Sequence, residues 1–313
     1  MSLPEMTIPE IRSFEQIVAL AREKVNATKK RRAALISPCD PGMLKACEKA
    51  TRKGFIDPIV IGDLANFETT NTETQANLKP SQLIDAATPA KAVILAAQMA
   101  ARGQIDLIVK GRSQTAEMLA SLLQHEAQFV AKGKTMSHVA VMKPERYKKL
   151  LMLTDGAVVI APDLQTKMNL IQNLIKVSKS IGIPNPRIAV LAAVEVVYPT
   201  MPVTTEAAIL SKMAERGQIK EAFIDGPLSL DVAVDMFAAH SKGVKTSQVA
   251  GQADAFLAPN IETANGIYKA MTLYGHCEMA GVVVGGRVPV TMGSRSDNEQ
   301  SKFNSIALGV LAG

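Results

Sequence analysis

The 313-residue sequence predicts an α/β sandwich with a mainly parallel sheet. Two observations carry that expectation. Short runs of Val, Ile, Leu and Ala alternate with amphipathic helical patterns from end to end, and several of the runs are continuously apolar, as strands buried on both faces require. Prolines and glycines also fall where such an alternation needs starts and stops.

In chain order, a helical pattern over residues 8–25 precedes a strand at 33–36. A helix at 41–53 opens on Pro41 and stops at Gly54, ahead of a strand at 59–62. Residues 67–82, rich in Thr, Asn and Gln, read as an exposed excursion without regular structure. A helix at 89–102 follows Thr88, opens on Pro89 and ends at Gly103, and a strand at 105–109 comes next. The pattern continues with a helix at 116–123 and strands at 139–142, 151–153 and 158–160. The polar connection 143–149 is the best local candidate for a domain boundary. A helix at 164–181, behind Pro162 and ahead of Gly182, leads to a strand at 188–191. Helix 205–216, strand 223–224, helix 230–240, strand 255–257 and helix 262–274 complete the middle. Strands at 282–284 and 288–290 and a helix at 298–311 close the chain.

Composition narrows the function classes. Thirty-five Lys and Arg against 29 Asp and Glu leave a net charge of +6, yet only 12 residues are aromatic and none is Trp. A basic surface without stacking platforms argues against nucleic acid and fits small phosphorylated ligands. Three cysteines (Cys39, Cys47 and Cys277), with no C-x-x-C pair, suit a reducing cytoplasm. No apolar run is long enough to span a membrane, and no secretory leader pattern is seen. Four histidines without a Cys/His cluster give no expectation of a bound metal. Gly133-Lys134-Thr135 is not a phosphate-binding P-loop, because Gln128 stands where the motif needs glycine. No G-x-G-x-x-G or G-x-S-x-G sequence occurs.

Chemistry concentrates in residues 281–313. An apolar strand runs through Gly285, Gly286 and Arg287 into Thr291, Met292, Gly293, Ser294, Arg295, Ser296 and Asp297, and then into a long helix. A strand emptying into a Gly/Ser/Arg turn before a helix makes an anion site: free N–H groups and the helix dipole favour negative charge, and Arg295 can fork onto phosphate oxygens. Ser296 and Glu299 have capping-box spacing, which accounts for both without chemistry. Lys110, Arg112 and Thr115 repeat the strand-to-helix arrangement, and Ser137 and His138 open an apolar strand.

The run Val288, Pro289, Val290, Ser294, Arg295, Ser296 and Asp297, with Lys302 and residues 305–308, resembles the C-terminal signature of the phosphate acetyl/butyryltransferase family. Val194-Glu195, Pro199 to Pro202, Ile224 to Leu228 with Asp231, Val249 to Gly251, Tyr268-Lys269, Val109 to Gly111 and Leu153 to Asp155 extend the likeness over nearly the whole chain. It is closer to the butyryl-type branch. The resemblance implies two α/β domains like those of isocitrate and isopropylmalate dehydrogenases. Residues 1–150 plus 281–313 would form the first, residues 151–280 the second, with the active site between them, in a homodimer or higher homo-oligomer.

It implies reversible transfer of a butyryl or acetyl group between coenzyme A and inorganic phosphate, without a permanently bound cofactor. Ser294 would lie near the CoA thiol and Arg295 at phosphate or the developing oxyanion. Lys110, Arg112, Thr115, Ser137 and His138 would contact substrates. Two departures stand out. Acetyl-type members carry an Asp general base seven residues after the motif serine, where this chain has Ser301, leaving Asp297 as the nearest carboxylate. Gly293 stands where butyryl-type members have Thr. A non-catalytic CoA or acyl-phosphate binding protein of the same fold is the alternative that the first departure raises.

Overall fold

The computed structural model describes residues 11–124, 128–293 and 297–313. Eleven strands form one sheet in the order β3-β2-β1-β4-β11-β10-β5-β6-β9-β7-β8. β1 (Arg31–Ile36), β2 (Ile56–Gly62), β3 (Gln82–Asp85), β4 (Leu107–Lys110) and β11 (Val290–Thr291) are parallel neighbours. β6 (Leu151–Thr154), β9 (Ala255–Leu257), β7 (Arg187–Leu191) and β8 (Phe223–Leu228) make a second parallel block. Between the blocks, β5 (Ser137–Lys143) and β10 (Glu278–Val284) pair antiparallel to each other and to their outer neighbours. The sheet thus reverses direction at its centre, where open α/β sheets tend to form ligand crevices.

The helices are α1 (Phe14–Ala27), α2 (Pro41–Arg52), α3 (Leu64–Glu73), α4 (Pro89–Ala101), α5 (Thr115–Leu123), α6 (Leu164–Ser180), α7 (Pro202–Glu215), α8 (Leu230–Val234), α9 (Met236–Ser241), α10 (Ile261–Leu273) and α11 (Glu299–Ala312). Their starts obey the expected chemistry. Asp40 accepts Met43 N–H at 2.7 Å, Asp163 accepts Thr166 N–H at 2.7 Å and Asn260 accepts Thr263 N–H at 3.0 Å. Among the described residues, no helix is long and apolar enough to cross a membrane.

Helix α11 ties the C-terminal segment into the first half of the chain. Every residue from Ser301 to Ala312 is buried, against α1, α2, α6 and β10. Its polar residues are individually satisfied: Lys302 Nζ pairs with Asp40 at 2.8 Å, Asn304 donates to Glu278 at 2.7 Å, and Ser305 Oγ accepts Gly281 N–H at 3.0 Å.

Four expectations are corrected. Residues 158–160 are not a strand, because the Asp155 carboxylate gathers the N–H groups of Ala157, Val158 and Val159 into a loop. Residues 67–82 are not structureless. Asp63 caps α3, Phe67 anchors it in the core, Asn71 bonds both backbone groups of Leu78, and β3 begins at Gln82. The helix expected at 230–240 breaks in two at Asp235, whose carboxylate caps α9. The last helix is capped by Asn298, which accepts Ser301 N–H at 2.8 Å, so the box expected from Ser296 to Glu299 does not start it.

Candidate active site

The central antiparallel strands form the floor of the site. His138 and Ala140 alternate along β5 and so share one face of the sheet. Ala140 stands opposite Gly281 on β10 and Leu153 on β6. A Cβ at Gly281 would lie 2.7 Å from His138 Nε2 and 3.0 Å from the Met292 carbonyl oxygen, so only glycine lets the imidazole and the β11 exit close over β10. The next position, Ala140, is small as well, and a cavity of about 270 Å³ opens above it.

Three segments wall this cavity. The loop after β6 is held by Asp155, whose buried carboxylate accepts Ala157 N–H at 2.8 Å, Val158 N–H at 2.9 Å, Val159 N–H at 3.3 Å and His138 N–H at 3.0 Å. That leaves Gly156 and Ala157 on the cavity surface. Helix α10 contributes Asn265, Tyr268 and Lys269, which share one face through their i, i+3, i+4 spacing. Asn265 also donates to the Gly156 carbonyl at 3.0 Å and so fixes helix to loop. Thr115 enters from the first turn of α5, whose N-cap residue Gln114 makes no side-chain capping bond. A helix start without a side-chain cap is a place where N–H groups can meet an anion.

The electrostatics of the site are uneven. His138 is buried, and among the described residues its Nδ1 has no hydrogen-bond partner. Burial holds this imidazole below its ordinary pKa, against the attraction of Asp155. The Tyr268 ring meets the imidazole edge-on at 6.2 Å between centroids. Burial raises the Tyr268 phenol, and the Asp297 carboxylate beside it, which accepts its hydrogen bond, raises it further. Asp297 precedes the Asn298 cap and is not part of the helix. Among the described residues, no group of three or more His, Cys, Asp or Glu is placed to hold a metal ion.

The residues singled out from sequence separate clearly. Thr115 and His138 line the cavity, and Gly293 brings the chain to its rim. Ser294 and Arg295 lie outside the described residues. Lys110 is buried at the end of β4, in register with Ile36 of β1, and its Nζ donates to the Gly111 carbonyl at 3.3 Å. Gly111 is packed so tightly that a Cβ would come within 2.1 Å of the Ser37 carbonyl oxygen. Arg112 lines a separate pocket of about 280 Å³ with Ser37, Cys39, Asp63 and Thr88, at the starts of α3 and α4.

Ser137 points to the other face of the sheet, where its Oγ accepts Asn173 Nδ2–H at 2.8 Å. Its neighbour His138 takes the cavity side, as strand alternation dictates. Asn265, Gly156, Ala157 and Met292 were not singled out as site residues. Tyr268 and Lys269 belonged to a matching stretch but carried no assigned role. The helical spacing of Asn265, Tyr268 and Lys269 was the available signal.

Residues 85–310 match the family model described as phosphate acetyl/butaryl transferase. A phosphate butyryltransferase of Clostridium acetobutylicum is 40% identical over 301 residues, covering 96% of this chain and 98% of that one. The crystal structure of a branched-chain phosphotransacylase from Enterococcus faecalis aligns with a TM-score of 0.75 at 29% identity, covering 90% of this chain and 98% of that one. A 4-hydroxythreonine-4-phosphate dehydrogenase from Burkholderia phymatum aligns with a TM-score of 0.53 at 13% identity over 91% of this chain and 99% of that one. This last likeness concerns the fold alone, and it agrees with a dehydrogenase-like α/β architecture.

Proposed function

From the premise that the chain belongs to the phosphate acetyl/butaryl transferase family, we propose that it is an acyltransferase moving a short acyl group, butyryl or acetyl, between coenzyme A and inorganic phosphate. The observation that carries this reading is the extent of the family match, which takes in every residue that lines the central cavity.

In this reading a phosphate oxygen attacks the thioester carbonyl carbon. The carbonyl oxygen gains negative charge in the tetrahedral state, the C–S bond breaks, and CoA leaves as the thiolate that is then protonated. Catalysis is mainly positioning of two polyanions and stabilisation of the oxyanion. The uncapped start of α5, with the Thr115 hydroxyl, receives phosphate. Arg295 neutralises phosphate or the oxyanion, and Ser294 hydrogen-bonds the departing sulfur. The neutral His138 imidazole, which lines the cavity, offers a ring N–H to the acyl carbonyl oxygen.

In the reverse direction Asp297 takes the thiol proton, a role supported by its place beside Tyr268 at the cavity. Arg112 brings positive charge to the neighbouring pocket, where the phosphates of CoA have room, and Lys110, two residues earlier, adds to it. Ser137 has no part in this scheme, because its hydroxyl is committed to Asn173.

The sheet order supports a division into residues 1–150 plus 281–313 and residues 151–280: β1 to β5 with β10 and β11 are contiguous in it, and so are β6 to β9. Exposed Phe237, Leu273 and Tyr274 on the second part suit a homodimer contact. A cytoplasmic enzyme agrees with the free cysteines.

Arg295→Ala tests the assignment. Phosphate-dependent release of CoA from butyryl-CoA should fall about 100- to 1,000-fold, as losing a principal oxyanion or phosphate contact does. A variant with undiminished turnover would remove Arg295 from the mechanism. CoA binding without turnover in the unaltered protein would identify the non-catalytic alternative.

A further inference from the structure

Asp297, the base in the reverse direction, is not held by a helix. It follows the segment that leaves β11 at Met292 and Gly293, and it precedes the Asn298 cap of α11. Its carboxylate meets Tyr268, whose hydroxyl donates to it. Tyr268, by contrast, is firmly placed. It stands on α10 one turn after Asn265, which ties that helix to the Gly156 carbonyl at 3.0 Å. Its ring packs against the core cluster that includes Ala140, Leu153 and Met279, and it lines the cavity. The same ring stands edge-on to His138, at 6.2 Å between centroids and 74° between planes. One side chain therefore meets both groups, the imidazole at its ring and the carboxylate at its hydroxyl.

We propose that Tyr268 is a positioning residue: its hydroxyl engages one oxygen of the Asp297 carboxylate and leaves the other for the thiol of CoA, while its ring spaces that base from His138. The inference rests on the acyl transfer and the Asp297 base proposed above, and it adds what aims the base. In the step concerned, the thiol proton passes to the second carboxylate oxygen. The sulfur forms its bond to the acyl carbon, the C–O bond to phosphate breaks, and phosphate leaves. Tyr268 exchanges no proton. Burial and the adjoining carboxylate hold its phenol well above the ordinary value, so it remains a donor throughout. A carboxylate anchored at one oxygen has lost its rotational freedom before substrate arrives, as a near-attack arrangement requires. Donation to the charged form also favours the ionised carboxylate, the form that accepts the proton.

The experiment measures kcat and the KM for CoA, with butyryl phosphate as acyl donor, as a function of pH in the unaltered protein, Tyr268→Phe, Asp297→Ala and the double variant. Tyr268→Phe removes one oxygen and keeps the ring, and thermal midpoints establish that each variant is folded. Asp297→Ala should lower kcat about 100-fold or more, as loss of a general base does. Tyr268→Phe should lower kcat about tenfold and change the KM for CoA less than about threefold. Its ascending pH limb should move up by about half to one pH unit, the worth of one hydrogen bond to the carboxylate. The other titratable or charged groups around this site are His138 on β5, Asp155, which accepts its N–H, Lys269 on α10, and Arg295, two residues before Asp297. All are the same in both proteins, so the movement reports Asp297. In the Asp297→Ala background, Tyr268→Phe should change kcat less than about twofold, because no carboxylate is left to aim. An unchanged kcat in Tyr268→Phe, an unmoved limb, or an equal loss with and without Asp297 overturns the positioning role. Full turnover in Asp297→Ala removes the base and the role together while leaving acyl transfer intact. No turnover of any short acyl phosphate or acyl-CoA by the unaltered protein overturns the acyl transfer itself.

Discussion

Two polar clusters at strand ends differ in how completely they are paired. At the ends of β7 and β8, the Ser229 hydroxyl hydrogen-bonds the Glu195 carboxylate. Lys242 Nζ lies 3.0 Å from Asp231, 3.5 Å from Glu195 and 2.9 Å from Ser229 Oγ. That cluster satisfies itself. At the centre of the sheet His138 lines a cavity beside a helix start that lacks a side-chain cap, and its buried Nδ1 has no partner among the described residues. Unpaired buried polarity costs stability that a folded chain ordinarily avoids. The contrast supports the ligand site proposed at the central cavity, whereas the Glu195 cluster is paired within itself.

Breaking the support under the central cluster has the largest expected effect. Asp155→Ala leaves four N–H groups, one buried and three half-buried, without their acceptor. It should destabilise the protein by about 3–5 kcal/mol in urea unfolding. Gly281→Ala comes next. Its methyl would meet His138 Nε2 at 2.7 Å and push the imidazole away, so kcat/KM should fall about 10- to 100-fold while the chain still folds.

His138→Gln separates binding from stability. The imidazole pKa is depressed in the folded state, so its favourable contribution is fully present above the unfolded value of about 6.5 and is lost as pH falls below it. The thermal midpoint should drop by a few degrees more between pH 7.5 and 5.5 in the unaltered protein than in the variant. Lys242→Met should do least. Its hydrogen bond to Asp231, with that from Ser229, holds the Asp231 carboxyl down to about 2, a stabilisation present above the ordinary carboxylate range and lost as pH falls towards 2. Because the pair is solvent-exposed, the midpoint at neutral pH should move by no more than about 2 °C, with turnover unchanged. A large loss of turnover in Lys242→Met would erase the contrast between the two clusters.

The alternating architecture was legible because parallel strands are apolar on both faces and helices are amphipathic. β1, β4 and β9 and the starts of α2, α4 and α6 fall within two residues of their sequence positions. Residues 158–160 misled, because three apolar residues in a row carry no sign that the Asp155 carboxylate collects the N–H groups of residues 157–159. The reversal at β5 and β10 was also hidden, since strand direction depends on partners far away in sequence.

Within the site, Thr115 and His138 showed themselves as polar residues at a helix start and a strand start. Ser137 was grouped with His138 although adjacent strand residues face opposite ways. The α10 face was overlooked for a related reason. Asn265, Tyr268 and Lys269 fall within the helix expected at 262–274, and only the fold turns their side towards the cavity.

The central claim, an acyl group passed from thioester to phosphate, is tested most directly by trapping the product. Unaltered protein incubated with butyryl-CoA and phosphate, then quenched with hydroxylamine, should yield butyryl hydroxamate in amounts equal to the CoA released. Neither should form when phosphate is omitted. Release of CoA at the same rate without phosphate, or with no acyl phosphate to trap, would contradict the account.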